Sequence, residues 1–131
     1  MSTTQSTVCV FRIFETITLC VLSDNKNVRL SLATAILNTS SYMYSSSSSS
    51  TSWVSGFFNV IEAILSCGKY ESEAISRVLV ALGTVLLIPG ACGDAAKRTA
   101  RDSSMMSLVE RVASGHDVSV SVAKDIRSIL P

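Results

Sequence analysis

Apolar residues recur along the chain at intervals of three and four, the spacing that gives an α-helix one apolar face. Strict alternation, the pattern of a half-buried strand, is confined to Val118–Val122, and it runs into a segment whose spacing is again helical. Glycine occurs only six times and proline twice. The pattern therefore predicts an all-α protein with helices at 7–22, 27–44, 53–67, 72–88, 95–101, 104–113 and 118–130.

Polar and glycine-containing segments mark the expected ends of these helices. Ser23–Asn25 can cap the second predicted helix, Gly68 can end the third, and Pro89–Gly90 can end the fourth. Gly93–Asp94 is expected to begin the fifth helix.

A serine-rich tract follows the second predicted helix. Ser45–Ser50, followed by Thr51 and Ser52, has no apolar face, and its hydroxyls compete locally for backbone hydrogen bonds. We therefore expect a flexible loop at 45–52. The tract is either a phosphorylation site or a tolerated loop insertion.

The second and fourth predicted helices are apolar around nearly their whole circumference. In the fourth, Val80, Leu87 and Ile88 cover much of the side opposite the main apolar stripe. A helix of this kind is buried on more than one side, as every inner helix of a repeat stack is. Ala35–Asn38 and Ala81–Thr84 also align at a separation of 46 residues. That separation lies in the range of armadillo and HEAT repeats, which is roughly 40–47 residues.

Composition narrows the class of function. Hydrophobic residues make up 47% of the chain and charged residues 16%, which is enough apolar surface for a sizeable core. The net charge of +1 gives no global attraction to nucleic acid or to an anionic membrane. The longest apolar run, Val78–Ile88, is shorter than the roughly 18–20 residues of a membrane span. We expect neither nucleic acid nor a membrane as a partner.

Residues that carry catalytic or metal chemistry are few. Four cysteines without a C-x-x-C pair and a single histidine, His116, do not make a usual zinc site. The cysteines indicate instead a reduced, intracellular protein with small buried thiols. The chain has no nucleophile elbow, phosphate-binding glycine loop or H-E-x-x-H motif. We expect no catalytic residues, no metal and no cofactor.

Two strings of residues resemble the PUL domain, the armadillo-like C-terminal module of phospholipase A2-activating protein and its fungal counterparts. They are Asn25–Asn38 and Ser76–Leu86, and they occur in the order and spacing of that family. The resemblance covers the chain from about Phe11 onward. It implies an armadillo-like α-solenoid at 11–131, a C-terminal half of the domain with about six to seven helices, after a disordered segment at 1–10.

The resemblance also implies a partner. PUL domains bind the acidic C-terminal tail of the ubiquitin-selective AAA ATPase (valosin-containing protein) in a concave groove, and so link it to ubiquitin and to proteasomal degradation. The expected location is the cytoplasm, together with the nucleus. Two other hypotheses remain open: a generic helical scaffold, and a PUL module detached from a desumoylating-type cysteine protease.

The candidate binding residues are those that helical spacing places on one face of the second and fourth predicted helices. Arg77 can grip a carboxylate with two hydrogen bonds, Asn38 can hold a peptide backbone, and Thr84 can shape the floor between them. Arg77 also follows Glu73 by four residues, so a simple ion pair on the helix surface is the alternative. Asn38 can alternatively satisfy a buried backbone group. The remaining candidates are Tyr42, as a wall for an aromatic side chain, with Lys26 and Arg29, as an extension of a basic wall.

Two further clusters are expected to be structural. Lys97, Arg98 and Arg101 are the densest basic group, but no aromatic residues interleave with them, so we expect a solvated face. Trp53, Phe57 and Phe58 are expected to pack between repeats.

Overall fold

The computed structural model describes residues 14, 17, 20–46, 51–114 and 117–129, and within these ranges every regular element is an α-helix. The all-α prediction is therefore confirmed. Phe14, Ile17 and Cys20 are helical. The helices that follow are α1 (Lys26–Ser45), α2 (Val54–Cys67), α3 (Ser72–Leu86), α4 (Ala91–Asp102), α5 (Met105–Ala113) and α6 (Asp117–Ile129).

The helices form two layers. In one layer α3 lies between α1 and α6 and packs along both. In the other, α2 contacts α4 and α5, and the helical residue Phe14 packs on Phe57 of α2. Two stacked layers of this kind are an armadillo-like solenoid, the fold class expected from the sequence.

Aromatic side chains fill the core between the layers. Trp53 and Phe57 are completely buried, and Phe57 makes edge-to-face contacts with Phe14 at 5.7 Å, with Trp53 at 6.2 Å and with Phe58 at 5.7 Å between ring centroids. Such contacts add to the hydrophobic gain of burial. The interpretation of Trp53, Phe57 and Phe58 as core residues is confirmed.

Local signals in the sequence place most helix ends correctly. Asn25 Oδ1 accepts hydrogen bonds from the backbone N–H groups of Asn27 (2.8 Å) and Val28 (3.2 Å), the usual N-cap arrangement. Gly68 ends α2 with φ = 73°, a left-handed conformation that glycine adopts without strain.

The start of α4 differs from the prediction. The helix begins at Ala91 after Gly90, whose φ is 84°, so Gly93–Asp94 does not begin it. Gly93 lies inside the first turn, where a Cβ atom would come within 1.6 Å of the Ile88 carbonyl oxygen. Glycine is needed there for close packing of the helix on the preceding turn.

The serine-rich loop, the N-terminal segment and the cysteines were also the subject of predictions. α1 extends through Ser45, so the serine tract begins inside a helix, and the central half of the loop expected at 45–52 lies outside the described residues, as does the segment 1–10. Of the described cysteines, Cys92 is buried and Cys67 is partly buried, but Cys20 is exposed. The expectation that the thiols are buried was wrong for Cys20.

Hydrogen bonds join the loop Val21–Asn25 to the loop Gly68–Glu71, and we call this arrangement the loop clasp. Tyr70 donates its hydroxyl to the Val21 carbonyl at 3.0 Å. Lys69 Nζ donates to the Leu22 carbonyl at 3.1 Å and to Asp24 Oδ1 at 2.8 Å. The first loop precedes α1 and the second precedes α3, so the clasp holds the N-terminal ends of these two helices side by side.

Candidate functional site

The starts of α1 and α3 lie together, and the two helices run parallel. Arg29 of α1 contacts Glu71, 42 residues further on, and Thr34 contacts Arg77, 43 residues further on. Continued along the helices, this register places Asn38 at the level of Val80 and Ala81, and Tyr42 at the level of Thr84. We call the outer surface formed by Thr34, Asn38, Tyr42, Arg77, Val80 and Thr84 the α1–α3 face.

Arg77 bridges the two helices. Its Nη2 donates to Glu73 Oε1 at 2.8 Å, one turn earlier on α3, and its Nη1 donates to the Thr34 hydroxyl on α1. The Arg77 side chain remains 34% exposed. The ion pair with Glu73 that the sequence suggested is therefore present, but the guanidinium also reaches the neighbouring helix and keeps contact with solvent.

Asn38 lies one turn beyond Thr34 on α1 and is exposed. Among the described residues its side-chain amide has no hydrogen-bond partner, and its exposure rules out a role in satisfying a buried backbone group. An amide in this position has both a donor and an acceptor available.

Apolar surface lies next to these polar groups. Val80 is 40% exposed and Tyr42 is 49% exposed, while the Thr84 hydroxyl donates to the Val80 carbonyl at 2.8 Å. Val80, Leu87 and Ile88 are all expected from the sequence to be covered. Ile88 is buried, but Val80 and Leu87 are exposed, because the side of α3 that they occupy faces outward. Helical spacing places Val80 in the same stripe as Arg77 and Thr84, but sequence reasoning did not single it out as a binding residue, because a continuous apolar helix gives no signal for which side stays open.

The two remaining candidates lie at the start of α1, away from Tyr42. Lys26 is exposed. The structure does not place Arg29 on an exposed wall: its side chain is 10% exposed, with Nη2 donating to Glu71 Oε1 at 2.6 Å and Nη1 to the Ser23 carbonyl at 3.1 Å. Its Nε is buried without a hydrogen-bond partner among the described residues. Arg29 therefore strengthens the loop clasp, because it joins Ser23 of the first loop to Glu71 of the second.

Three side chains of the loop clasp have shifted pKa values. The hydrogen bond from Lys69, and its charge, lower the pKa of the Asp24 carboxyl. The hydrogen bond from Arg29 likewise lowers the pKa of the Glu71 carboxyl. Burial raises the pKa of the Tyr70 hydroxyl to about 12.

Other kinds of site find little support in the described part of the chain. A shallow hollow of about 210 Å³ lies between α5 and α6, and another of about 460 Å³ lies on the side of α1 away from α3. Neither is lined by Arg77 or Asn38. No group of three or more His, Cys, Asp or Glu side chains within the described ranges could hold a metal ion. Of the helices described, none is long and apolar enough to cross a membrane. Arg98 and Arg101 are exposed, and Lys97 is partly so.

Comparison with known proteins gives one positive result. A family model described as the PUL domain matches residues 3–127, nearly the whole chain, so the match starts before Phe11 and is not confined to a C-terminal half. No curated protein and no solved structure shows significant similarity to the chain. PUL domains are protein-interaction modules rather than catalytic ones. The two-layered helical fold agrees with the match, and the chain belongs to the PUL domain family.

Proposed function

We propose that the α1–α3 face docks the acidic C-terminal tail of the ubiquitin-selective AAA ATPase. The observation that carries the proposal is the juxtaposition, on adjoining parallel helices, of a partly exposed guanidinium and a carboxamide without a partner among the described residues. Membership of a family of protein-interaction modules supports a peptide as the ligand.

Each group on the face has a role that suits a peptide with a carboxylate. Arg77 uses two of its five N–H donors in the contacts with Thr34 and Glu73, so donors remain for a ligand oxygen. Asn38 can pair with a peptide N–H and C=O together. Val80 and Tyr42 offer apolar surface to an aromatic or aliphatic side chain of the tail, and Thr84 lies in the floor between them.

In the cell, this docking would make the chain an adaptor that couples the segregase to ubiquitin turnover and proteasomal degradation. The proposed location is where that partner works, the cytoplasm and the nucleus. Ubiquitin itself is an indirect partner in this proposal, reached through the segregase and its clients.

Binding of a fluorescent peptide with the sequence of the ATPase tail tests the proposal, with the Kd measured by polarisation. We expect micromolar affinity for the wild-type chain and a loss of at least about tenfold for Arg77→Ala, since a hydrogen bond to a charged group contributes about 1.5–3 kcal/mol.

The matched control is Arg98→Ala, which removes an exposed arginine from α4 in the other layer. It should leave the Kd unchanged. Equal affinities of the wild-type and Arg77→Ala chains, or no binding by the wild-type chain, would contradict the proposal.

A further inference from the structure

We propose that Glu73 is an internal competitor for the ligand's carboxylate, and that it sets both the affinity and the charge preference of the α1–α3 face. This inference rests on the proposed function, because it concerns the regulation of the same site.

The contact itself resembles ligand binding. Glu73 Oε1 lies 2.8 Å from Arg77 Nη2, the distance of a charge-assisted hydrogen bond. A ligand carboxylate that binds both terminal nitrogens of the guanidinium needs a donor on Nη2. Glu73 therefore occupies part of the position that an incoming carboxylate would take.

The two partners of this ion pair differ in how firmly they are held. The Arg77 guanidinium is 34% exposed and is also held by Thr34 from the neighbouring helix, whereas the Glu73 side chain is 67% exposed. Glu73 can rotate into solvent while Arg77 keeps its place. An exposed pair at this spacing on a helix is weak, with an effect on equilibria of about a factor of two.

Glu73 is also the principal negative charge of the face. Neither α1 nor α3 contains another Asp or Glu, since Glu71 precedes α3 and pairs with Arg29. An acidic peptide on the α1–α3 face is therefore repelled from within these two helices by Glu73 alone. Loss of the internal ion pair and loss of this repulsion act in the same direction.

Glu73→Gln tests the inference because it removes the charge and keeps the size of the side chain. We expect its Kd for the acidic tail peptide to be about two- to fivefold lower than that of the wild-type chain at low salt. The gain should shrink in high salt. It should also be absent for a peptide whose acidic residues and C-terminal carboxylate are replaced by amides.

Glu62→Gln is the matched control, because Glu62 is exposed on α2 in the other layer. It should bind like the wild-type chain, and circular dichroism checks that both variants fold. If the wild-type chain binds and Glu73→Gln binds equally or more weakly, the inference is wrong and the proposed function stands. If neither the wild-type chain nor Glu73→Gln binds, the proposed function fails and the inference fails with it.

Discussion

Tyr70 shows how a single hydroxyl can link two parts of the solenoid. Its ring is buried, and its O–H donates to the Val21 carbonyl at 3.0 Å, a contact between residues 49 positions apart. The same burial raises the pKa of the hydroxyl to about 12, because an ionised phenolate would lose its hydration there.

Tyr70→Phe should therefore cost about 0.5–1.5 kcal/mol of the free energy of unfolding at neutral pH, the usual net contribution of one hydrogen bond. The Tyr70 pKa is higher in the folded chain than its ordinary value of 10.0, so the neutral form favours folding. This contribution is complete below pH 10.0 and is lost as the pH rises toward about 12.

Urea unfolding at neutral and alkaline pH measures both effects. The difference in stability between wild type and Tyr70→Phe should narrow as the pH rises through this range. A difference that is constant with pH would show that Tyr70 ionises equally well in the folded and unfolded chains.

Arg29 shows which residue roles the sequence does not reveal. Its spacing on α1 was compatible with an exposed basic wall, but Glu71 lies 42 residues away, and no local pattern indicates that the two pair. The ion pair of Arg77 was predictable, because Glu73 lies four residues earlier in the same helix. Its hydrogen bond to Thr34 was not, because it depends on how α1 packs against α3.

At the scale of elements, predictions succeeded where the signal was local. Asn25 caps α1 and Gly68 ends α2 because these residue types satisfy the backbone at a helix end by themselves. The start of α4 was misplaced because glycine serves two purposes, ending helices and allowing close packing. The position of Gly93 against the Ile88 carbonyl is the second of these, and it depends on how the chain folds back.

Gly93→Ala should consequently destabilise the chain by about 1–3 kcal/mol, since the new methyl group meets backbone that cannot simply rotate away. Gly83→Ala is the matched control. A Cβ at Gly83, in the last turn of α3, would meet Ile126 at 3.7 Å, an ordinary contact.

The control should raise stability by about 0.4–1 kcal/mol, because alanine restricts the unfolded chain and favours the helix. Thermal unfolding followed by circular dichroism distinguishes the two variants. Shifts of the same sign would mean that the packing of α4 on the Ile88 turn tolerates a side chain.

At the scale of the whole molecule, the loop clasp makes the free energy of unfolding depend on pH in the acidic range. Lys69 lowers the pKa of the Asp24 carboxyl from 3.8, and Arg29 lowers that of the Glu71 carboxyl from 4.5. Both carboxyls thus favour the folded state when charged. Their contribution is complete above these ordinary values and is lost as the pH falls through the lower values of the folded chain.

The double variant Asp24→Asn/Glu71→Gln should therefore lose stability less steeply than the wild-type chain between about pH 5 and pH 3. Urea unfolding at several pH values measures the slope. Lys69→Met, which leaves both carboxyls in place, should flatten it in part. Identical slopes for the wild-type chain and the double variant would show that the two carboxyls have the same pKa in the folded chain as in the unfolded chain.

The arrangement of helices was predictable only in outline. Helices with apolar residues on every side indicated a stack, but the alignment at 46 residues differs from the observed contacts between α1 and α3, which span 42 and 43 residues. Positions one turn apart on a helix share a face, so an apolar pattern alone does not fix the register. The polar contacts of Arg29 and Arg77 fix it.

The outward position of Asn38, Tyr42 and Val80 has a consequence for divergence among related proteins. These side chains project from the layer while Ala33, Ile36 and other buried residues of the same helices form the interior. If the α1–α3 face binds a peptide as proposed, replacing the outward residues would change which peptides fit, while the buried residues that stabilise the fold stay in place. Ligand preference would then drift by point substitution in this fold without passing through unfolded intermediates.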